Sequence, residues 1–135
     1  MPPDAPEPKT TLEQLVAQVD RYPIEAFLFV NEAVAYTVRK THGERTSPEQ
    51  NMHVSGQQLC EGFRELALAR WGMLAGTVLR RWNVRSTADI GRIVFAMVEA
   101  GLMSKTDDDS PEDFRNVYDF RAAFDPAGYC FASRA

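Results

Sequence analysis

Hydrophobic residues in the N-terminal third of the chain recur with the spacing of an α-helix. A capping pattern, Thr10 with Glu13, opens a stretch in which apolar residues repeat at i, i+3, i+4 and i+7 (Leu12, Leu15, Val16 and Val19). This pattern predicts a first amphipathic helix that ends near Tyr22. Pro23 suits the first turn of a second helix, and the segment 25–39 is apolar around nearly its whole circumference. We therefore expect a buried central helix at this place.

The middle of the chain predicts a polar connection and then two further helices. Residues 41–54 are polar and aperiodic, which favours a mobile loop. Ser55 with Gln58 forms another capping pattern, and the residues after it share one apolar helical face (Leu59, Phe63, Leu66 and Ala67). Gly72 interrupts this pattern, which then resumes (Leu74, Val78, Leu79 and Trp82). We expect two helices that meet near Gly72.

A short turn and a helix with marked ends follow. Asn83 stands where a helix would end with a left-handed residue, a conformation that asparagine tolerates. Ser86 or Thr87 then caps the next helix, and Asp89 places a negative charge in its first turn. Gly101, followed by a leucine that folds back, is typical of a Schellman motif.

The C-terminal part of the chain predicts a small hairpin and an aromatic cover. Residues 102–105 and 117–120 favour two short strands that pair, and the loop between them carries the signals of a single helical turn at 110–113. Burial of one aromatic side chain contributes about 1.5–3 kcal/mol. We therefore expect the aromatic residues of this part to wrap back over the core (Phe114, Tyr118, Phe120, Phe124, Tyr129 and Phe131).

These elements predict a mostly α-helical single domain of about five helices, with a winged-helix-like C-terminal half and a possible short β-hairpin. The chain has 135 residues, of which 44% are hydrophobic and 25% charged, as is ordinary for one globular domain. We expect a disordered proline-rich tail at 1–9 and a globular domain at 10–135. The tail lacks the features of a secretory signal, and no apolar run is long enough to cross a bilayer. A cytoplasmic protein without a membrane partner is therefore predicted.

Several blocks of sequence resemble a bacterial protein family. They are His53-Val54-Ser55-Gly56 at a helix start, the stretches 89–95 and 98–102 in and after the last long helix, and Asp113-Phe114 with 117–120 and Phe124. On these blocks the chain resembles a small family of planctomycete and verrucomicrobial proteins, over nearly its whole length beyond the proline-rich tail. That family has no assigned activity, cofactor or catalytic residues. The resemblance implies a bacterial single-domain protein and no particular function.

Residues that carry enzyme chemistry are sparse. Cys60 and His53 are the nucleophile and base candidates, but His53 precedes the helix start and Cys60 lies well inside the helix, so the imidazole would have to fold back. A buried structural cysteine is the other interpretation. Cys60 and Cys130 show neither a disulfide framework nor zinc-ligand spacing, and no glycine-rich turn follows a strand to hold phosphate. The sequence predicts no catalytic residue, cofactor or metal site.

The charges around the last long helix bear on possible partners. In a helix-turn-helix the second helix reads the major groove, assisted by basic residues on phosphates. Arg80, Arg81 and Arg85 precede that helix, and Arg92 lies within it. Asp89, however, would point a negative charge at the groove, and an acidic loop follows (Asp107, Asp108, Asp109, Glu112 and Asp113). The net charge of −4 gives no general attraction to phosphate either.

Phe95 falls roughly opposite the apolar stripe of the same helix (Ile90, Ile93, Val94 and Met97). One interpretation is that its ring packs against the C-terminal aromatic segment or the second helix. The other is that the ring is exposed beside Arg92, as an anchor for a protein interface.

The leading hypothesis is a non-enzymatic protein-interaction module with an unidentified protein partner. Its predicted interaction residues combine the arginines, the phenylalanine and the acidic loop (Arg80, Arg81, Arg85, Arg92, Phe95, Asp107, Asp108 and Asp109). The alternative is a winged-helix-like nucleic-acid-binding regulator or a ribosome- or polymerase-associated factor. A third hypothesis is a thiol-dependent enzyme that uses Cys60.

Overall fold

Six α-helices and two short 3-10 turns make up the fold, as a computed structural model describes it for residues 11–42, 55–103 and 111–124. The elements are α1 (Leu12–Val19), α2 (Ile24–His42), α3 (Gly56–Trp71), a 3-10 turn (Gly72–Leu74), α4 (Ala75–Arg81), α5 (Thr87–Glu99), a second 3-10 turn (Pro111–Phe114) and α6 (Phe120–Ala123). This confirms a mostly α-helical domain with about five principal helices, since α6 is a single turn. None of the described helices combines the length and apolar character needed to cross a bilayer.

The first two helices differ from the prediction at their ends. The cap of α1 is Thr11 and not Thr10: the Thr11 hydroxyl accepts a hydrogen bond from the Gln14 N–H at 3.2 Å, and the Gln14 side chain accepts one from the Thr11 N–H at 3.0 Å. The helix ends before Tyr22 because Asp20 adopts a left-handed conformation (φ 48°). The second helix, in turn, continues to His42.

Two predicted segments, the N-terminal tail and the loop after α2, lie largely outside the described residues. Positions 41 and 42 are helical, so the loop expected at 41–54 is shorter at its start than predicted, and its remainder is not described. The tail expected at 1–9 also lies outside the described residues.

The break between α3 and α4 confirms the prediction at Gly72. Ser55 and Gln58 form the expected reciprocal cap, with hydrogen bonds of 2.8 and 3.0 Å. Gly72 then takes a positive φ of 55°, which a residue with a side chain rarely adopts, and the chain continues as a 3-10 turn. Helix α4 starts directly after this turn, at Ala75.

The core forms where α2 and α3 pack against each other in opposite directions. The centroid of the Phe29 ring lies 4.7 Å from the centroid of the Trp71 ring and 5.0 Å from that of the Phe63 ring. The helices lie in close contact where Gly62 faces Thr37, since a Cβ at Gly62 would overlap the Thr37 hydroxyl. Further fully buried side chains of α2 and of the elements from α4 to α5 complete this core (Phe27, Val30, Leu79, Val84, Ile90 and Ile93).

Helix α5 ends in the predicted Schellman motif. Gly101 has a φ of 82°, and its N–H donates to the carbonyl of Val98 at 3.1 Å. The Leu102 N–H donates to the carbonyl of Met97 at 2.8 Å, which completes the motif.

The C-terminal segment covers the core but does not form the predicted strands. The expected single helical turn is present at Pro111–Phe114. Residues 117–120 do not form the predicted strand. The Val117 N–H donates to the Thr87 hydroxyl at 3.2 Å, and Phe120 already begins α6. The described part of the other strand, 102–103, is a bend. The hairpin is thus not confirmed.

Aromatic residues of this segment do return to the core, as predicted. Phe114 and Phe124 are buried, and Tyr118 and Phe120 are partly buried against the core. Tyr129 and Phe131 lie outside the described residues.

Candidate functional site

The turn between α4 and α5 carries one predicted interaction residue, Arg85, and lies between Arg80 and Arg81 at the end of α4 and Arg92 in α5. Its first half is a second Schellman motif, in which the Val84 N–H donates to the Leu79 carbonyl at 2.9 Å and the Asn83 N–H to the Arg80 carbonyl at 3.0 Å. Asn83 has the predicted left-handed conformation, with φ 62°. The backbone of this turn is therefore fixed by hydrogen bonds before any partner binds.

A buried carboxylate, Asp89, holds the second half of the turn. Its Oδ2 accepts hydrogen bonds from the N–H groups of Arg85 at 2.9 Å and Ser86 at 3.1 Å. Its Oδ1 accepts one from the Tyr22 hydroxyl at 2.5 Å and one from the Arg92 guanidinium at 2.6 Å. Asp89 is only 4% exposed, so the expectation that it points a negative charge outward is wrong. The cause is its place in the first turn of α5, where a carboxylate caps the helix start.

The pKa values of this cluster follow from its hydrogen bonds. Burial disfavours the charged form of Asp89, but the hydrogen bonds from Tyr22, the Arg85 N–H and Arg92 outweigh it and lower the pKa of the carboxyl. Burial, together with the bond to Asp89, raises the pKa of Tyr22 to about 12. At neutral pH the cluster therefore contains a carboxylate and a protonated phenol.

The arginine face, defined as Arg80, Arg81, Arg85 and Arg92, surrounds this turn, and all of its side chains are exposed. Arg92 pairs with Asp89 while 51% of its side chain stays exposed. Arg80 donates to the Thr77 hydroxyl at 3.3 Å. Within the described ranges, none of the ion pairs involves Arg80, Arg81 or Arg85. The face thus presents cations that the described part of the domain does not neutralise.

Arg21 joins this face from a distant part of the sequence. The Asn83 side chain donates to the Arg21 carbonyl at 3.3 Å, and the Arg21 guanidinium lies 5.9 Å from the centre of the Tyr22 ring. The sequence shows no signal for Arg21, because only the packing of the α1–α2 connection on the turn brings it here. Tyr22 was likewise predicted only as the end of a helix.

The N-terminal half of α5 is covered by the second 3-10 turn and the residues after it. A Cβ on Gly91 would lie 2.7–2.9 Å from atoms of Phe114, which shows how closely the two elements approach. The Thr87 hydroxyl binds the backbone of Val117. A recognition helix needs this half free to enter a major groove. The winged-helix-like geometry predicted for this part of the chain is thus not confirmed.

Phe95, the remaining described residue of the predicted interaction set, packs against another ring of the domain. The Phe95 ring is half-buried and meets the Phe114 ring edge to face, with centroids 5.8 Å apart. It therefore packs on the C-terminal segment, the first of the two interpretations. Asp107, Asp108 and Asp109 lie outside the described residues.

Cys60 lies in the core and has no accessible thiol. Its side chain is 0% exposed, and burial raises the pKa of the thiol to about 12. Its backbone carbonyl accepts a hydrogen bond from the Tyr118 hydroxyl at 2.7 Å. His53, its predicted base, lies outside the described residues. In the part of the chain that the structure describes, no three potential metal ligands come together.

No protein-family model, curated protein or solved structure matches this chain.

Proposed function

We propose that the chain is a non-enzymatic, cytoplasmic protein-interaction module that binds its partner through the arginine face. One observation carries this proposal: Arg80, Arg81 and Arg85 are exposed and belong to no ion pair of the described residues. Other arginines of the domain do pair, as Arg70 does with Glu32 at 2.6 Å. Arg80, Arg81 and Arg85 are also close together in sequence, at the end of α4 and in the turn after it.

The rigidity of the turn supports this proposal. Arginine is enriched at protein interfaces, where its planar guanidinium binds carboxylates through two hydrogen bonds. Binding costs less entropy when the groups that bind are already ordered. The buried Asp89 and the left-handed Asn83 fix the backbone that carries Arg85, so little ordering remains for a partner to impose.

A protein partner is favoured over a nucleic acid by the cover on α5. The side of α5 that carries Thr87 and Gly91 is occupied by Val117 and Phe114. Asp119 is exposed on the covering segment, and its carboxylate disfavours a phosphate at this position.

The test is affinity capture of the tagged full-length protein from the cells that produce it. Arg81→Glu and Arg85→Glu are compared with Arg39→Glu, which makes the same charge change on the exposed side of α2. We expect one protein partner to be retained by the native chain and the Arg39→Glu control, and to be lost from both test variants. The proposal fails if no partner is captured, if the control loses it equally, or if nuclease treatment releases it.

A further inference from the structure

A groove opens beside the arginine face. It runs between the start of α5 and the segment 115–120, and it encloses about 520 Å³. Pockets that bind small ligands have volumes of roughly 300–1,000 Å³, so this groove has room for one or two side chains of a partner. The side chains that matter for binding come from both walls (Arg85, Arg115, Tyr118, Asp119 and Phe120).

Two exposed arginines line the groove from separate elements. Arg85 comes from the turn, and its Nε donates to the Asn83 side chain at 3.0 Å, which orients the guanidinium. Arg115 follows the second 3-10 turn. Neither arginine belongs to an ion pair of the described residues. A carboxylate that enters between them would meet two guanidinium groups that no described carboxylate pairs with.

The remaining wall of the groove is aromatic and fixed. The rings of Tyr118 and Phe120 stack with centroids 5.8 Å apart and planes 20° from parallel. The Tyr118 hydroxyl is anchored on the Cys60 carbonyl, so this ring has one orientation. Asp119 adds a carboxylate to the lining, which disfavours a ligand with many consecutive negative charges.

We propose that this groove binds an acidic side chain of a peptide segment in the protein partner. Arg85 and Arg115 bind its carboxylate, and the rings of Tyr118 and Phe120 contact the apolar atoms beside it. The Asp89 side chain already accepts from the backbone N–H groups of Arg85 and Ser86 at the start of α5, so recognition comes from the arginines and not from the helix end. This inference rests on the proposed function and names the part of the surface that selects the partner.

The experiment uses the full chain and a fluorescein-labelled peptide, Gly-Glu-Glu-Leu-Glu-Gly, with a second peptide in which glutamine replaces every glutamate. Fluorescence anisotropy gives the affinity, and amide chemical shifts locate the site. We expect the acidic peptide to shift amides at 86–88 and 115–120 and to bind at least about tenfold more tightly than the glutamine peptide. Arg85→Gln and Arg115→Gln should each weaken binding by about five- to tenfold, whereas Arg39→Gln should change it less than about twofold.

Three results would overturn the groove assignment. The first is that millimolar peptide causes no chemical-shift changes at the amides of the groove. The second is that Arg39→Gln weakens peptide binding as much as Arg85→Gln and Arg115→Gln do, and the third is that a short thymidine oligonucleotide binds more tightly than the peptide at the same amides.

Cellular capture separates this inference from the proposed function. If Arg81→Glu abolishes capture while Arg85→Gln and Arg115→Gln do not, the interaction module stands and the groove assignment falls. If the peptide binds in the groove but no cellular partner is captured, the groove assignment stands and the interaction module falls.

Discussion

Asp89 is the residue on which the geometry of the arginine face depends. Its carboxylate joins Tyr22, two backbone N–H groups of the turn and the Arg92 guanidinium. Hydrogen bonds to a charged group contribute about 1.5–3 kcal/mol each, and a buried donor that loses its acceptor keeps the cost of desolvation. The carboxylate is therefore a stabilising group, although it carries a charge into the interior.

We predict that Asp89→Asn lowers the free energy of unfolding by about 2–4 kcal/mol, because the neutral amide cannot accept from all of these donors. Urea unfolding followed by circular dichroism measures this change. Glu99→Gln removes an exposed carboxylate from the same helix and should change stability by less than about 0.5 kcal/mol. Equal effects of the two substitutions would contradict the role assigned to Asp89.

Cys60 provides a second prediction at the level of one residue. The buried thiol, whose pKa is raised to about 12, should not react with iodoacetamide at neutral pH in the folded protein. Labelling should become fast only in denaturing urea. The chain has two cysteines, so the measurement uses a Cys130→Ser variant to isolate Cys60. Rapid labelling of the folded variant would restore the hypothesis of a thiol-dependent enzyme.

At the scale of elements, the contact between α5 and the second 3-10 turn positions one wall of the groove. We predict that Gly91→Ala destabilises the fold by about 1–2 kcal/mol, although alanine improves helix propensity by about 1 kcal/mol. The new methyl would lie 2.7–2.9 Å from Phe114 atoms that include its Cβ, which cannot move without the backbone.

Hydrogen exchange distinguishes the steric effect of Gly91→Ala from its effect on helix propensity. Displacement of the 3-10 turn should break the bond from the Val117 N–H to Thr87, so that this amide exchanges faster than in the native chain. Amides in α3 should keep their relative protection. A more stable variant with unchanged exchange at Val117 would show that helix propensity outweighs the steric contact.

Element ends were predictable from the sequence wherever the signal was local. The cap at Ser55, the break at Gly72 and the Schellman motif at Gly101 each depend on a few consecutive residues. The cap of α1 was misplaced because Thr10 with Glu13 and Thr11 with Gln14 satisfy the same pattern. Only the fold selects the second pair.

Contacts between distant residues account for what the sequence did not reveal. The predicted strand 117–120 has an apolar pattern that suits a strand, but its backbone finds a partner in Thr87, 30 residues away. The position of Asp89 near the helix start was predicted, whereas its bond to Tyr22 spans 67 residues and left no local pattern. Arg80, Arg81, Arg85 and Arg92 could be grouped from the sequence because they lie close together in it, whereas Arg21 and Arg115 reach the site only through the fold.

On the scale of the whole molecule, the cluster around Asp89 connects stability to pH. The α1–α2 connection, the α4–α5 turn and α5 all bind this carboxylate, so its protonation loosens three parts of the fold together. Glu32 and Glu65 also have lowered pKa values, from ion pairs with Arg70 and Lys40. Those pairs are largely exposed, and exposed pairs contribute little. Among these groups, Asp89 should dominate the acid side of the stability profile.

We predict that the free energy of unfolding is nearly constant from about pH 7 to pH 5 and falls as the pH drops below about 4, the value for an unperturbed aspartate. The direction follows from the lowered pKa of Asp89 in the folded state: the unfolded chain binds the proton first, so acid favours unfolding. Tyr22→Phe removes a hydrogen bond that lowers the pKa of Asp89. The fall in the free energy of unfolding below about pH 4, here called the acid limb, should therefore be less steep in this variant than in the native chain. Asp89→Asn should flatten the limb further, and Glu99→Gln should leave it nearly unchanged. Urea titrations between pH 3 and pH 7 measure these slopes, and an acid limb that persists unchanged in Asp89→Asn would assign the dependence to other carboxylates.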